Sequence, residues 1–466
     1  MLSAIRSVHF VGICGSAMAS AAAAMQERGF HVTGSDTNVY PPMSTFLADR
    51  KIEVMTPYAE RNLDHNPSLV VIGNAISRGN PEAEAALERK LRYCSLPELL
   101  KDFFIRGKRS LVVTGTHGKT TTTSLLAWVF EHAGLNPSFL IGGIPRNLGQ
   151  GARFTDGDFF IIEGDEYDTA FFDKRSKFVH YLPEVAIINN LEFDHADIFE
   201  NLAAIQLSFK RLITLVPRNG LLLANGDEPS LESLLGFKHC PIKRFGLSVN
   251  NDHRAAELAL TGDHSRFRVG ETVFELPLTG ELNVRNALAV LCAARHCGLS
   301  DAQIQAGFST FTGIRRRMEV RGERNGITVV DDFGHHPTAI RETVKALRVK
   351  YPGRRLWAIF EPRSNTTRRN VFQQELAEAL RLADAVIVSQ IARLELLGEQ
   401  ERLDPARLMR EVAANGIPAH YLATVPEIVE CAGTHGRAGD VFCVFTNGGF
   451  ENIHEKLLQR FATPQG

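Results

Sequence analysis

Hydrophobic and polar residues follow one another along this chain in blocks that predict repeated strands and helices. Short apolar runs of four or five residues, rich in β-branched side chains, predict buried strands. Most runs end in glycine or polar residues and precede a longer segment with helical spacing, which is typical of parallel α/β sheets. Residues 220–280 are instead rich in short polar strands, and a helix is predicted over 287–297. The buried strands predicted in this way are 8–11, 69–72, 111–114, 159–162, 185–188, 327–330, 356–360, 385–388 and 441–445.

The segment 111–134 has the order of a phosphate-binding loop: a strand, a glycine turn and a helix. The turn is Gly115-Thr116-His117-Gly118, and Lys119 begins the helix. Backbone N–H groups at such a turn and at the helix N-terminus attract phosphate, and a lysine adds positive charge. Thr120, which Thr121 follows, stands where a P-loop hydroxyl would bind Mg²⁺. The segment therefore predicts a nucleotide-phosphate site, although the first glycine of the usual pattern is absent.

The first 36 residues predict half of a β-α-β nucleotide-binding unit. A strand ends at a glycine turn, and a helix then leads to a second strand that ends at Asp36. An acid about twenty residues after the glycines is placed to meet a ribose hydroxyl. The third glycine of G-x-G-x-x-G is absent, so another nucleotide is at least as well supported as NAD. Alternatively, Gly12 and Gly15 only form a tight turn between strand and helix.

Two strands of the middle region end in acids and a histidine. Glu163 follows the strand 159–162, and Asp194 and His195 come soon after the strand 185–188. Ligands of parallel sheets lie at the carboxyl ends of the strands, and Mg²⁺ prefers oxygen ligands. Beside a phosphate loop, these residues predict a magnesium site with His195 as a candidate ligand. The alternative is a solvated turn whose acids cap the next helix.

The last third of the chain predicts a second Rossmann-like sheet with polar strand ends. The strand 327–330 ends in D-D-F-G-H-H-P, and the strand 356–360 ends in E-P-R-S-N-T. His335 and His336 stand at a strand's carboxyl end, which favours a ligand-facing role over capping the next helix. Three arginines at 315–317 suit phosphate neutralisation or a solvated domain boundary.

The composition indicates a multidomain protein without a nucleic-acid partner. A chain of 466 residues is too long for one core, and we place domain boundaries at 1–106, 107–318 and 319–466. Lysine and arginine together number 52, against 53 for aspartate and glutamate. The chain therefore has no excess of positive charge that would indicate nucleic-acid binding. The seven cysteines are scattered and form no C-x-x-C, which favours a reducing compartment.

The sequence also predicts a cytoplasmic protein that does not enter a membrane. No stretch reaches the roughly 18 uncharged apolar residues of a membrane helix. The alanine-rich run that ends at Met25 could be read as a secretory signal. His9, Gly12 and Gly15 interrupt that run, which disfavours this alternative.

The motifs in combination resemble those of the Mur ligase family. They are G-T-H-G-K-T at 115–120, E-x-D-E-x-D at 163–168, N-x-x-x-D-H-x-D at 190–197 and D-D-F-G-H-H-P at 331–337, in that order. The resemblance covers essentially the whole chain and implies an ATP-dependent amide-bond ligase of peptidoglycan metabolism. It implies three α/β domains: an N-terminal Rossmann-like domain for UDP, a central P-loop domain for ATP, and a C-terminal Rossmann-like domain for the incoming peptide.

Within that family, four stretches are most similar to the members that act in peptidoglycan recycling. Those members join UDP-N-acetylmuramate to the tripeptide L-alanyl-γ-D-glutamyl-meso-diaminopimelate. The alternative within the family is a ligase that adds a single L-alanine to the same sugar nucleotide. From other classes, a non-catalytic UDP-sugar sensor and an NAD-dependent enzyme remain as alternatives. The presence of Lys119, Thr120, Glu163 and His195 disfavours the first, and the incomplete glycine pattern disfavours the second. The four stretches are 38–45, 73–82, 171–181 and 361–366.

The resemblance further implies roles for individual residues, with ATP and Mg²⁺ as cofactors. Lys119 would contact the β- and γ-phosphates, and Lys119, His195 and His336 would be catalytic. Leu282 stands where the family has a histidine, so the adenine pocket departs from the family pattern. The implied metal ligands are Thr120, Glu163 and His195. The residues implied in ATP binding are Gly115, Thr116, His117, Gly118, Lys119, Thr120, Thr121, Asn286, Arg317 and Asp332. Those implied in UDP-sugar binding are Gly12, Cys14, Gly15, Met18, Ser35, Asp36 and Asn74, and those near the peptide are Arg363 and Asn365.

Overall fold

The computed structural model of the chain describes residues 5–236, 239–391, 394–414 and 416–462. The chain divides into two compact units. Unit 1 comprises Met1–Glu192, Leu202–Arg254 and Leu288–Gly307, and unit 2 comprises Phe193–Asn201, Ala255–Ala287 and Phe308–Gly466. The three domain boundaries given above stay predictions.

The N-terminal part of unit 1 is a parallel sheet with the strand order β3-β2-β1-β4-β5. Because β2 and β4 flank β1, the loop after β1 lies at the point where the strand order reverses, the usual ligand position in such sheets. The elements are β1 Ser7–Val11, α1 Ser16–Glu27, β2 His31–Ser35, α2 Met43–Asp49, β3 Glu53–Met55, β4 Leu69–Ile72, α3 Pro81–Glu88, β5 Tyr93–Ser95 and α4 Leu96–Leu100.

The central part of unit 1 is a larger sheet with the order β15-β14-β13-β12-β6-β9-β7-β8. Strand β6 pairs in parallel with both β12 and β9, so the carboxyl ends of these three strands are neighbours. A separate hairpin joins β10 to β11. The elements are β6 Arg109–Thr114, α5 Lys119–His132, β7 Ser138–Leu140, β8 Ala152–Arg153, β9 Phe159–Glu163, β10 Asp168–Ala170, β11 Asp173–Ser176, β12 Val185–Ile188, α6 Leu202–Leu215, β13 Leu221–Asn225, β14 Ile242–Gly246 and β15 His253–Arg254.

A small antiparallel sheet and two helices come next along the chain. The sheet has the order β16-β17-β18. Helix α7 begins at Glu281, so the prediction of a helix starting at residue 287 was wrong at this end. Two local features explain the earlier start. The Asn283 Nδ2 donates to the Thr279 carbonyl at 2.8 Å, and the negative charge of Glu281 in the first turn interacts favourably with the helix dipole. The elements are β16 Ala256–Leu260, β17 Ser265–Val269, β18 Thr272–Leu276, α7 Glu281–His296 and α8 Asp301–Ser309.

The C-terminal part of unit 2 is a sheet with the order β19-β20-β24-β21-β22-β23, parallel except for the β19–β20 pair. Strand β20 extends to Asp332, two residues beyond its predicted end. The elements are β19 Glu319–Arg324, β20 Ile327–Asp332, α9 Pro337–Lys350, β21 Leu356–Phe360, α10 Gln373–Leu380, β22 Ala385–Ser389, α11 Pro405–Ala413, β23 Ala419–Leu422, α12 Val425–His435, β24 Val441–Phe445 and α13 Ile453–Ala462. Short 3-10 turns lie at Glu60–Leu63, Lys177–His180, Pro229–Leu234, Asn370–Phe372, Leu394–Leu396, Glu399–Glu401 and Phe450–Asn452, and a π-helical turn at Lys101–Ile105.

The apolar strands are buried on both faces of the C-terminal sheet. Along β21, Ala358 and Phe360 belong to one hydrophobic cluster, while Trp357 and Ile359 belong to the cluster on the other face. Such strands read as continuous apolar runs because helices cover both sides of a parallel sheet. The seven cysteines all lie in the described ranges and are free thiols. Within those ranges, no helix is long and apolar enough to cross a membrane.

Candidate functional site

The glycine turn after β6 is held by the residues that follow β12. The His117 N–H donates to the Asn190 Oδ1 at 2.7 Å, and the Asn190 Nδ2 donates back to the His117 carbonyl at 3.2 Å. The Thr116 Oγ1 accepts from the Glu192 N–H at 2.9 Å, and the His117 ring contacts the Glu192 carboxylate at 3.0 Å. Gly115 has φ +127°, and a Cβ there would lie 3.0 Å from the Asn190 nitrogen. The turn therefore requires glycine and is fixed by its neighbouring strand.

Helix α5 begins directly after this turn without a side-chain cap. Gly118 is the N-cap residue with φ +78°, which glycine adopts without strain. Thr121 lies in the first turn and is partly exposed, whereas Thr120 is buried. The first N–H groups of a helix lack partners within the helix, so an uncapped N-terminus suits an anion. This geometry agrees with the predicted phosphate site.

Lys119 forms an ion pair with Glu166, which the sequence reasoning did not assign. The Lys119 Nζ donates to both Glu166 carboxylate oxygens at 2.9 Å and to the Gly115 carbonyl at 2.7 Å. The side chains of Lys119 and Glu166 are only 13% and 3% exposed. Burial acts to lower the pKa of Lys119, but Glu166 and Asp165 raise it above its ordinary value. Lys119 therefore remains protonated at neutral pH.

Thr120 and Glu163 form an oxygen pair beside the lysine. The Thr120 Oγ1 donates to the Glu163 Oε1 at 3.0 Å, and the other carboxylate oxygen accepts from the Gly142 N–H at 2.8 Å. A hydroxyl and a carboxylate are the hard oxygen ligands that Mg²⁺ prefers beside nucleotide phosphates. The residues present therefore fit this ion.

The glycine turn of the N-terminal sheet is tied to the end of β2. The N–H groups of Gly12 and Ile13 donate to the Ser35 carbonyl at 2.8 and 3.1 Å. Gly12 has φ +87°, and Gly15 is the N-cap of α1 and offers no side-chain oxygen to its first turn. Met18 is buried. The structure thus brings the loop after β1 and the end of β2 together, as the sequence predicted.

Ser35 and Asp36, the two polar residues at the end of β2, accept hydrogen bonds from the loop after β1. The Asp36 carboxylate accepts from the N–H groups of Cys14 and Asn38, both at 2.9 Å, and from the Tyr58 hydroxyl at 3.3 Å. The Ser35 hydroxyl is buried and donates to the Glu82 carboxylate. These contacts fix the loop, and the expectation that Asp36 meets a ribose hydroxyl stays a prediction.

Glu82 is the buried centre of the N-terminal polar network and was missed by sequence reasoning. It accepts from the Asn62 Nδ2 at 2.7 Å, from the Ala59 N–H at 3.2 Å and from the Ser35 hydroxyl, and it pairs with His9 at 3.2 Å. Burial acts to raise the pKa of Glu82, but these hydrogen bonds lower it below its ordinary value.

Asn74, another predicted residue of the UDP-sugar site, lies exposed, with its Nδ2 3.5 Å from the Asp168 carbonyl.

The remaining predicted ATP residues belong to unit 2. The buried Asp332 accepts from the N–H groups of Met318 and Gly334 at 2.8 Å. Burial raises the pKa of Asp332, against the opposing effect of Arg317. The Arg317 guanidinium lies 5.3 Å from the centre of the Phe333 ring. Asn286 is buried on α7, with its Nδ2 3.4 Å from the Asn283 Oδ1.

His336 caps helix α9, which was the alternative given less weight above. Its Nδ1 accepts from the Thr338 N–H at 3.2 Å, and its Nε2 lies 3.2 Å from the Phe193 carbonyl, to which it can donate. Both ring nitrogens have partners inside unit 2, and the structure shows the capping contact. The ligand-facing and catalytic role of His336 stays a prediction. His335 lies beside it, and burial lowers the pKa of His335 against the opposing effect of Asp194.

The segment Phe193–Asn201 carries His195 and lies against the loop 361–368 of the same unit. The Thr366 Oγ1 donates to the Asp194 Oδ1 at 2.8 Å, and the Asn365 Nδ2 donates to the Asp197 Oδ2 at 2.7 Å. The Asn365 side chain thus holds this segment, and its expected place near the peptide stays a prediction. His195 has φ +56°, and its side chain is largely buried.

A cavity of about 430 Å³ opens at the carboxyl ends of β21 and β22. Arg363 lies on its wall, 3.5 Å from Glu361. The Glu361 carboxylate also accepts from the Thr446 hydroxyl. Among the described residues, the lining thus combines the Arg363 guanidinium with the carboxylates of Glu361, Glu395 and Glu451 and with apolar side chains. Its lining residues are Glu361, Arg363, Ser389, Gln390, Ile391, Leu394, Glu395, Ala423, Val425, Phe450 and Glu451.

Family descriptions match the chain along most of its length. The Mur ligase family catalytic domain matches residues 7–107, and the Mur ligase middle domain matches residues 113–294. The Mur ligase glutamate ligase domain matches residues 316–448.

Individual relatives also match nearly end to end. The chain is 44% identical, over 98% of its length and 99% of the relative's, to the UDP-N-acetylmuramate–L-alanyl-γ-D-glutamyl-meso-2,6-diaminoheptandioate ligase of Haemophilus influenzae. It is 33% identical, over 98% of its length and 96% of the relative's, to the UDP-N-acetylmuramate–L-alanine ligase of Variovorax paradoxus. The crystal structure of a murein peptide ligase from Psychrobacter arcticus matches with a TM-score of 0.72 and 37% identity, covering 99% of this chain and 100% of that one.

Proposed function

The chain belongs to the Mur ligase family, and we propose that it joins UDP-N-acetylmuramate to the tripeptide L-alanyl-γ-D-glutamyl-meso-diaminopimelate at the expense of ATP. The observation that carries the proposal is the 44% identity over 98% of the chain to a ligase named for this activity. The corresponding figure for the L-alanine ligase is 33%. Such an enzyme serves peptidoglycan recycling, and its nucleotide substrates place it in the cytoplasm.

The proposed reaction proceeds through an acyl phosphate. The muramate carboxylate attacks the γ-phosphorus of ATP, and ADP leaves. The free amino group of the tripeptide then attacks the acyl carbon, and the tetrahedral intermediate releases phosphate to leave an amide. These steps require positioning of reactants and neutralisation of phosphate charge more than covalent catalysis by the protein.

The central site supplies charge neutralisation in this proposal. The amide groups at the N-terminus of α5 and the ammonium of Lys119 bind the phosphates of ATP. Thr120 and Glu163 would hold Mg²⁺, which would neutralise charge on the phosphates when bound, and the role of His195 as a metal ligand stays a prediction. Asn286, Arg317 and Asp332 bind the rest of the nucleotide, a role that stays a prediction.

The N-terminal loop binds the UDP part of the sugar nucleotide. The uncapped N-terminus of α1 after Gly15 offers amide groups to the diphosphate. Cys14, Met18 and Asn74 stay predicted as residues of this pocket. Asp36 and Ser35 support it by holding the loop after β1 in place.

The cavity of unit 2 binds the diaminopimelate end of the tripeptide. That end carries a carboxylate and an amino group on its side chain, and the cavity offers the matching charges. The Arg363 guanidinium suits the carboxylate, and Glu395 and Glu451 on the wall suit the ammonium. A peptide with lysine at the third position lacks the side-chain carboxylate and therefore leaves Arg363 without its partner.

Phosphate release tests the proposal. The enzyme is given ATP, Mg²⁺ and UDP-N-acetylmuramate, with L-alanine in one reaction and tripeptide in the other. We expect turnover with tripeptide only, and a lower kcat/KM with the lysine-containing peptide. Turnover with L-alanine would instead assign the activity of the L-alanine ligase. Absence of phosphate release in both reactions would favour a non-catalytic UDP-sugar sensor.

A further inference from the structure

Residues 189–201 form one covalent segment that is held at both of its ends. Asn190 and Glu192 bind the glycine turn of the central sheet within unit 1. The following residues, Phe193–Asn201, belong to unit 2 and are held there by the loop 361–368. His195, the predicted metal ligand, lies in this second half. We call Phe193–Asn201 the histidine segment.

Two side chains of the loop 361–368 hold the histidine segment by direct hydrogen bonds. The Thr366 Oγ1 donates to the Asp194 Oδ1 at 2.8 Å, and the Ala196 N–H lies 3.4 Å from the same hydroxyl, to which it donates. Both Thr366 and Asp194 are at least nine-tenths buried. The same Asp194 oxygen accepts from the His195 N–H at 2.7 Å. Thr366 therefore acts on the backbone of His195 through a single carboxylate oxygen.

Asn365 adds a second, more exposed attachment. Its Nδ2 donates to the Asp197 Oδ2 at 2.7 Å, and its Oδ1 accepts from the Arg368 Nη2 at 2.5 Å. The Thr367 N–H donates to the Ser364 Oγ at 3.1 Å, which closes the loop on itself. The loop thus carries both attachments.

The backbone of His195 needs this support. Its φ of +56° lies in the left-handed region, which a residue with a Cβ adopts at a cost. Such a conformation persists only when surrounding contacts over-determine it. The His195 N–H donates to Asp194, whose oxygen also accepts from Thr366, and the His195 carbonyl accepts from the N–H groups of Ile198 and Phe199. These contacts together support the conformation.

We propose that Thr366 and Asn365 are positioning residues for His195, and that the loop carrying them couples Arg363 of the peptide cavity to the histidine segment. Arg363 of the peptide cavity lies only two residues before Asn365 in the same loop. We therefore expect a shift of Arg363 on peptide binding to move the histidine segment. The coupling rests on the proposed function, whereas the attachment of the segment by Thr366 does not.

Hydrogen–deuterium exchange tests the attachment without catalysis. Thr366→Val keeps the side-chain shape and removes the hydroxyl, and Thr366→Ser restores it. We expect the amides of residues 194–199 to exchange about tenfold faster in Thr366→Val and to regain protection in Thr366→Ser. Thr367→Val is the matched control, because it removes a buried hydroxyl of the same loop that contacts Ser364 only within the loop.

Kinetics test the positioning role in the full enzyme. We expect Thr366→Val to lower kcat roughly tenfold and to raise the Mg²⁺ concentration for half-maximal rate, with KM for UDP-N-acetylmuramate unchanged. Asn365→Ala is expected to do the same more weakly. Its control is Asn370→Ala, an exposed asparagine whose amide donates to the Gln400 carbonyl.

Two results would overturn the proposal. Unchanged exchange of residues 194–199 in Thr366→Val would show that the hydroxyl does not hold the segment. Equal kinetic losses in Thr366→Val and Thr367→Val, with no change in Mg²⁺ requirement, would reduce Thr366 to a loop-stability role. A wild-type enzyme that fails to ligate tripeptide would refute the proposed function and the coupling, while the exchange result would still decide the attachment.

Discussion

Replacing Lys119 with methionine tests whether one lysine serves both the fold and the reaction. Methionine keeps most of the apolar stem and removes the ammonium, which donates to Gly115 and twice to Glu166. The Glu166 carboxylate is 3% exposed, so water cannot replace the lost cation. Removing one partner of a buried ion pair costs about 3–5 kcal/mol, a large fraction of the stability of a typical domain.

A second substitution separates this cost from the loss of packing. Glu166→Gln in the Lys119→Met background removes the buried charge and keeps the shape of the side chain. The remaining cost is then that of unsatisfied neutral hydrogen bonds, about 1–3 kcal/mol. Glu166→Gln should therefore restore roughly 2 kcal/mol of stability in the Lys119→Met background.

Urea unfolding measured by tryptophan fluorescence provides the assay. Trp128 lies on α5, the helix that Lys119 begins, and Trp357→Phe leaves it as the chain's single tryptophan. We expect the midpoint of the Trp128 transition to fall by roughly 1–2 M in Lys119→Met and to recover in part in the double variant. Equal midpoints for wild type and Lys119→Met would refute the structural half of the argument.

Activity and ligand binding complete the test. Lys119→Ala and Lys119→Met should both abolish turnover, because the phosphates of ATP lose their fixed cation. Binding of UDP-N-acetylmuramate should change by no more than a few-fold, since its proposed pocket lies after β1 in the N-terminal sheet. Loss of sugar-nucleotide binding in a folded Lys119 variant would contradict the assignment of separate sites.

Three further predictions concern pH, the peptide cavity and the metal. The pKa of Glu82 is lowered below its ordinary 4.5, so the stabilisation of the fold by its carboxylate is fully present above that pH and is lost as the pH falls toward the folded-state value. Glu82→Gln should therefore be less stable than wild type at pH 7. In thermal unfolding, this variant should also lose less stability than wild type between pH 5 and pH 3. A Cβ at Gly448 would lie 2.6 Å from the Arg363 Nε, so Gly448→Ala should raise KM for tripeptide, whereas Gly449→Ala, with open space around it, should leave KM unchanged. Thr120→Val removes the hydroxyl of the predicted metal pair and should raise the Mg²⁺ concentration for half-maximal rate by about tenfold; an unchanged requirement would remove Thr120 from the ligands.

The sequence by itself determined the strands, the glycine turns and the fold class. The run 111–118 gave a buried strand and a turn with left-handed glycines because apolar spacing and the lack of a Cβ act locally. The neighbourhood of Glu163 and the glycine turn followed as well, since parallel strands bring their carboxyl ends to one edge of the sheet. The start of α7 was predicted too late, because the polar residues Asn283 and Asn286 interrupt the apolar pattern of its first turns.

The partners of polar side chains were decided only by the tertiary structure. Glu166 meets Lys119 because β9 and β6 are adjacent, and nothing in E-x-D-E-x-D distinguishes Glu166 from the other acids. Asn365 faces Asp197, 168 residues away along the chain, so its motif alone suggested a ligand instead. A hydrophobic pattern predicts the helix or strand in which it occurs. A side-chain hydrogen bond instead depends on which distant elements the packing brings within about 3 Å.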